Sequence, residues 1–394
     1  MGGTLHRVSR AREEELRILY VITTPDHGGA QVNLLDLVSG WPDGVESIVA
    51  TGEEGFLTKA ARELGSEVVV LPHLIRDLSP IRDFRSYREI RELIKDRNPD
   101  IVHCHSSKAG LLGRLAAASV GVPVVFTVHG WAFEDGISWL RRTIGRAAEF
   151  VAARLCRNQH VITVAEADRM LAIERNVLEP DRMTTIHNGI SDDPRLADPE
   201  FPGVATIVMV ARFSDQKDHD TLFKALAGVA EPFELLLVGH GPQFEQTKAH
   251  AKKLGVASHV DFLGNRRDVP DILAGAQIFV LSSHWEGFPI SILEAMRAAL
   301  PVIASDVGGV KESVLDGETG FTPPPRDVEA LGDALQQLLS DPELRKTMGL
   351  KGRQRFVERF GKQLMLAKTA RVYSDLVREP KAAEPLAALA SSIG

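Results

Sequence analysis

The chain has 394 residues, 44% hydrophobic and 25% charged, with a formal net charge of −7. That length exceeds one ordinary domain and the composition is globular. Neither the first 195 residues nor the remainder carries a basic excess, which argues against a nucleic-acid partner.

The N-terminal stretch MGGTLHRVSRAREEELR lacks the apolar segment of a secretory signal. No apolar run approaches the roughly 18–20 residues that a membrane-spanning helix requires. Two cysteines, Cys104 and Cys156, without CxxC or zinc-ligand spacing, read as small core residues in a reducing compartment. The expected location is cytoplasmic, either soluble or peripheral on the inner membrane face.

Strand-like runs follow one another at 16–23, 46–52, 67–72, 100–106, 123–130 and 160–165, with helical patterns at 30–39, 56–65, 81–97, 108–119 and 137–157. Near-continuous Val and Ile mark strands buried on both faces of a parallel sheet, so this half reads as a doubly wound α/β domain. The polar, Pro- and Asp-rich stretch HNGISDDPRLADPEFPG (187–203) then breaks the pattern. Strands resume at 205–213, 233–241, 259–264, 278–283 and 301–306, with helices at 219–229, 243–255, 268–275, 289–299 and 327–341. The expected organisation is a domain over 1–195, a second over 196–365, and a helix end with an unstructured tail over 366–394; the first dozen residues are also expected to be unstructured. Two Rossmann-like domains facing each other would bind ligands in the loops beyond the carboxyl ends of their strands.

Gly28 and Gly29 open the helix after the first strand, in HGGAQ. They read either as a structural turn or as a backbone approach to an anion at a helix N-terminus. After the first strand of the second half, ARFSDQKDHD places Arg212 and Lys217 in one loop. They are either solvated charges or a pair straddling a diphosphate. Asp218-His219-Asp220 imitates a metal motif, but Asp218 falls where it would cap the next helix. In EGFPISILE, Glu286 precedes a helix start and Glu294 lies more than a turn inside it. N–H groups of Phe288, Ile290 and Ser291 at that start suit a pyrophosphate, with each carboxylate taking hydroxyls on one side.

These segments together resemble the retaining glycosyltransferases of family four, which have the two-domain GT-B fold. Their hallmark is a Glu, seven residues and a second Glu, here Glu286 and Glu294. ARFSDQK, LLLVGHGP, VDFLGNRRDVP and PVIASDVGGVKESVLDGETGF follow in the family's order, and HGGAQ with HCHSSKAGLLGRLAAASVGVPVVFTVHGWAF resembles members that build bacterial surface polysaccharides. One departure is Ile186-His187-Asn188-Gly189 where members often have Pro-Asn-Gly.

The resemblance implies a nucleotide-sugar donor, UDP-sugar first, and a glycan or lipid-linked acceptor. It implies no metal or other cofactor. Arg212 and Lys217 would neutralise the diphosphate, Glu286 would orient the transferred sugar and Glu294 would hold the ribose. Gly29 would bring backbone N–H to the phosphates, Arg267 would border the base and His129 would face the sugar. His103 and His105 alternate onto one strand face like a metal pair but lack a third ligand, so they read as packing or acceptor-side residues. No motif supplies a nucleophilic carboxylate for double displacement, and front-side attack is the family expectation. Lys217→Ala would then lower turnover far more than it disturbs folding.

Residues 137–160 carry Arg141, Arg142, Arg146, Arg154 and Arg157 against a lone Glu149, interleaved with Ile137, Trp139, Leu140, Ile144, Phe150 and Val151. The segment is either an anionic-membrane surface or an ordinary helix covering the sheet. Rival functions are a nucleotide-sugar epimerase or a phosphorylase of the same fold, and a catalytically silent sugar-nucleotide binding protein.

Overall fold

The structure, a computed structural model, describes residues 15–131, 133, 139–377 and 380–391. The chain divides into two compact units, 1–188 with 362–394 and 189–361.

In the N-terminal unit seven parallel strands form one sheet: β1 (Leu16–Ile22), β2 (Val45–Thr51), β3 (Glu67–Val70), β4 (Ile101–His105), β5 (Val124–Val128), β6 (Gln159–Thr163) and β7 (Met183–Thr185), in the order β3-β2-β1-β4-β5-β6-β7. Every residue of β4 and β5 is buried, as continuous apolar runs require in a sheet covered on both faces. Helices α1 (Gly29–Val38), α2 (Phe56–Glu63), α3 (Pro80–Arg97), α4 (Ser107–Val120), α5 (Trp139–Leu155) and α6 (Glu166–Glu174) make the crossovers. The strand order reverses between β1 and β4, where Thr23 Oγ1 and Ser106 Oγ meet at 2.8 Å.

The C-terminal unit holds six parallel strands: β8 (Ala205–Val210), β9 (Phe233–Val238), β10 (Val260–Gly264), β11 (Ile278–Leu281), β12 (Val302–Ala304) and β13 (Gly320–Phe321), in the order β10-β9-β8-β11-β12-β13. Its helices are α7 (His219–Ala227), α8 (Phe244–Lys253), α9 (Val269–Ala274), α10 (Ile290–Arg297), α11 (Val310–Ser313), α12 (Val328–Ser340) and α13 (Pro342–Arg359). The order reverses between β8 and β11, which makes the loops after those two strands the expected ligand site.

The last segment departs from the sequence reading. Helix α14 (Lys362–Leu376) belongs to the N-terminal unit: Met365, Leu366 and Tyr373 are buried with Leu34, Leu37 and Tyr20, and Asn33 Nδ2 donates to Met365 Sδ at 3.2 Å. Residues 380–391, expected within an unstructured tail, form helix α15 (Pro380–Ser391), with Leu386 in the same core. Burial of one apolar face explains why an Ala-rich stretch holds its helix here. The expectation for the first dozen residues lies outside the described ones.

Both cysteines are buried, as their type suggested. No helix among the described residues is long and apolar enough to cross a membrane.

Candidate active site

The loops at the β8/β11 reversal are stitched together by backbone. Asp218 N–H donates to the Ser282 carbonyl at 3.0 Å and His284 N–H to the Gln216 carbonyl at 2.8 Å. Asp218 also caps α7, accepting from Thr221 N–H at 3.1 Å and Thr221 Oγ1 at 2.6 Å. Its carboxylate therefore serves helix geometry, and among the described residues no group of three or more His, Cys, Asp or Glu could hold a metal ion.

This stitching delivers Lys217 to Glu286. The ammonium donates to Oε1 of the carboxylate, with side-chain exposures of 10% and 6%. Ser283 Oγ donates to the same oxygen at 2.6 Å, and Gln216 Nε2 reaches the other at 3.1 Å while also donating to the Trp285 carbonyl at 2.8 Å. Three donors fix one buried carboxylate, which sets its rotamer. Gly308 lies against this turn at φ +52°, where an added Cβ would overlap the Glu286 carbonyl oxygen. Gly309 N–H donates to the Gly287 carbonyl at 2.9 Å.

Helix α10 begins one residue after Pro289, its N-cap, so its first N–H groups have no carbonyl within the helix to bond. Ile290 and Ser291 are half-buried there, and Glu294 sits on the second turn, also half-buried. Phe288 contributes its side chain to the core, 4% exposed and 5.4 Å from the ring of Phe360. Arg212 and Arg267 are exposed at the ends of β8 and β10, each without a hydrogen bond or ion pair to another described residue. A polar cavity of about 320 Å³ opens beside Lys217, lined by Asp215, His219, Asp220, Gln243 and His250 among others.

In the N-terminal unit, Gly29 is exposed at the start of α1. His129 follows β5, half-buried, with Nε2 3.0 Å from Nδ1 of the fully buried His105. Burial holds His129 as the neutral imidazole, its pKa lowered to about 4. His103 is engaged on both nitrogens, by Tyr373 Oη at 2.5 Å and Thr127 Oγ1 at 2.7 Å, and is fully buried, which suits the packing reading of the two left open by the sequence.

Residues 197–355 match the family model Glycosyl transferases group 1, and residues 27–194 match Glycosyltransferase Family 4. The UDP-Gal:alpha-D-GlcNAc-diphosphoundecaprenol alpha-1,3-galactosyltransferase of Escherichia coli is 31% identical over 326 residues, 78% of this chain and 83% of the relative. The chain belongs to the family-four glycosyltransferases. Putative glycosyltransferase EpsD of Bacillus subtilis is 29% identical over 311 residues, 73% of this chain and 80% of that one. HepE of Anabaena, solved in complex with UDP and glucose, superposes with a TM-score of 0.79 at 21% identity, covering 92% of this chain and all of that one. The two Rossmann-like units of this glycosyltransferase are those of the GT-B fold.

Of the residues singled out by sequence, Lys217 and Glu286 are brought into direct contact, and Phe288, Ile290 and Glu294 follow on the same turn and helix. Gln216, Ser283 and Gly308 were missed. Gln and Ser carry no reactive signature in a sequence, and only the fold shows what they reach. Gly308 had a signal in the Gly-Gly pair of SDVGGV, a place where backbone approaches closely.

Proposed function

We propose that this glycosyltransferase moves a sugar from a nucleotide-sugar donor, UDP-sugar first, to a glycan or lipid-linked acceptor, with retention and without a metal. The observation that carries the reading is the buried Glu286 carboxylate, held by Lys217, Ser283 and Gln216 at the strand-order reversal beside the α10 N-terminus. The E. coli relative is named for a UDP-Gal donor and a diphosphoundecaprenol acceptor, and HepE was solved with UDP; both support the choice of donor.

In this reading Arg212 and the α10 N–H groups take the diphosphate, and Lys217 spans between Glu286 and the phosphate charge that grows on departure. Glu286 orients the sugar hydroxyls, Glu294 the ribose and Arg267 the base. Phe288 and Ile290 contribute backbone, Gly29 N–H takes the phosphate and His129 takes the sugar. The acceptor hydroxyl attacks the anomeric carbon on the face the diphosphate leaves. The carbon–oxygen bond to phosphate breaks, and the acceptor's proton passes to a phosphate oxygen. Glu286 is already engaged by three donors, which favours this front-side route over a covalent glycosyl-enzyme.

Calorimetric titration with UDP, GDP and ADP, repeated on Glu294→Ala, tests the reading. Binding of UDP in preference to the others, weakened at least tenfold in the variant, is expected. Equal indifference to all three nucleotides would remove it.

A lipid-linked acceptor is favoured by the outer face of α5. Trp139 is 75% exposed, Leu155 62% and Ile144 48%, alongside exposed Arg146, Arg154 and Arg157. Ile137 lies outside the described residues, as do the side chains of Leu140 and Arg141. Apolar bulk beside arginines suits an anionic membrane surface. Flotation with anionic liposomes, lost on changing those three arginines to Gln, is the expected result.

A further inference from the structure

Beneath His129 lies a second imidazole whose arrangement the proposed chemistry does not yet use. His105, at the end of β4, is fully buried and points Nδ1 at His129 Nε2 across 3.0 Å, with ring centroids 5.3 Å apart and nearly parallel planes. Its other nitrogen, Nε2, is buried with no hydrogen-bond partner among the described residues. Burial keeps both rings neutral, His129 lowered to about 4 and His105 well below its ordinary value. Each ring therefore carries one N–H and one lone pair, and one proton lies between them.

Two arrangements satisfy that hydrogen bond. If His129 Nε2–H donated, His105 would carry its own proton on the buried Nε2, an orphaned N–H in a dry core. If His105 Nδ1–H donates, the orphan is a lone pair. Orphaned buried N–H groups are the rarer outcome in folded proteins. The second arrangement also leaves His129 with its proton on Nδ1, the nitrogen not consumed by the core.

We propose that His105 is a positioning residue that donates to His129 Nε2, locking His129 in the Nδ1–H form so that it presents a neutral hydrogen-bond donor to the sugar. A donor there grips a sugar hydroxyl without adding positive charge beside an electron-poor anomeric centre. The neighbouring ring of His103, 4.3 Å from that of His105, is held on both nitrogens and cannot supply the missing partner. The inference rests on the role given to His129 above, and its test separates the two.

The test is nitrogen-15 NMR of histidine-labelled full-length protein, with His129 assigned by its loss in His129→Gln, alongside kinetics of His105→Leu and His105→Asn. The expected spectrum shows His129 protonated at Nδ1 and bare at Nε2. His105→Leu should lower kcat about tenfold to a hundredfold, by analogy with removing the outer partner of a metal-bound histidine, with the donor Kd unchanged. His105→Asn, whose amide nitrogen stands where Nδ1 stood, should recover most of that loss. A proton on His129 Nε2 overturns the proposal, as does full turnover in folded His105→Leu when His129→Gln is impaired. Full turnover in His129→Gln would instead remove the role of His129, while the spectrum still decides the direction of the bond.

Discussion

Lys217 and Glu286, 69 residues apart in sequence, form a buried ion pair at the reversal of strand order in the C-terminal unit. Sequence reading assigned them separate duties, phosphate for one and sugar hydroxyls for the other. In the function proposed above, the lysine that holds the carboxylate is also the one the departing diphosphate draws on, which would link donor binding to the rotamer of Glu286.

Lys217→Ala is therefore expected to lower stability as well as turnover, because it leaves a buried carboxylate with only Ser283 and Gln216. Breaking one side of a buried pair costs about 3 kcal/mol, more than the loss of a solvated loop cation would. Lys217→Met combined with Glu286→Gln should regain most of that stability and none of the turnover. Urea unfolding with turnover measured on the same samples checks both. Recovery of activity in the double variant would show that the pair is structural only.

Gly308 carries a second expectation. Its φ of +52° and the overlap of any Cβ with the Glu286 carbonyl mean that Gly308→Ala must move the 286–288 turn. A loss of about 1–3 kcal/mol follows from strain at such a site, together with weakened UDP binding. Gly317 is the control, at φ +72° with open space around it. Gly317→Ala should lose stability by strain alone and keep its nucleotide affinity in calorimetry.

Much of this was legible because buried parallel strands are written as continuous Val and Ile runs, and eleven strand positions from LRILYVI to PVIAS follow that rule. Strands β7 and β13 were not, being three and two residues long, too short to carry a period. The fate of α14 was hidden for another reason: an amphipathic face says that it will be covered, not by which core. Leu366 and Tyr373 could have served either unit by sequence, and only the contacts with Leu34 and Tyr20 decide it. At the candidate site, chemistry-bearing types such as Glu286 stand out in the sequence and supporting types such as Ser283 do not.

The buried histidines set a pH dependence. Burial lowers His103 to about 3 and His105 well below its ordinary value. Both are neutral in folded and unfolded chains above the unfolded value, so they contribute no pH dependence there. As pH falls below about 6.5, the unfolded chain takes up protons that the folded one refuses, and stability falls. Each fully suppressed histidine costs about 2 kcal/mol at pH 5. Thermal unfolding at pH 7.5, 6 and 5 should show a falling midpoint across that window, reduced in His103→Gln. A flat profile would mean that these rings do titrate in the fold.

Arg114 and Glu149 join helices α4 and α5 by an ion pair of 2.6 Å with side-chain exposures of 2% and 5%. Arg114 is further fixed by the Gly110 carbonyl at 2.7 Å and lies 4.4 Å over the ring of Phe126. The single acid of that arginine-rich helix thus faces inward, which turns Trp139, Ile144 and Leu155 to the surface. Glu149→Ala strands a buried guanidinium and should cost about 3–5 kcal/mol, whereas Arg114→Met with Glu149→Leu should come close to the parent, since well-packed apolar replacements of buried pairs often do. Hydrogen exchange supplies the local readout: amides of 142–155 should lose protection in Glu149→Ala before the strands of the sheet do, and keep it in the double variant. If protection in the single variant fell uniformly across the unit, the pair would be holding the whole core rather than seating α5.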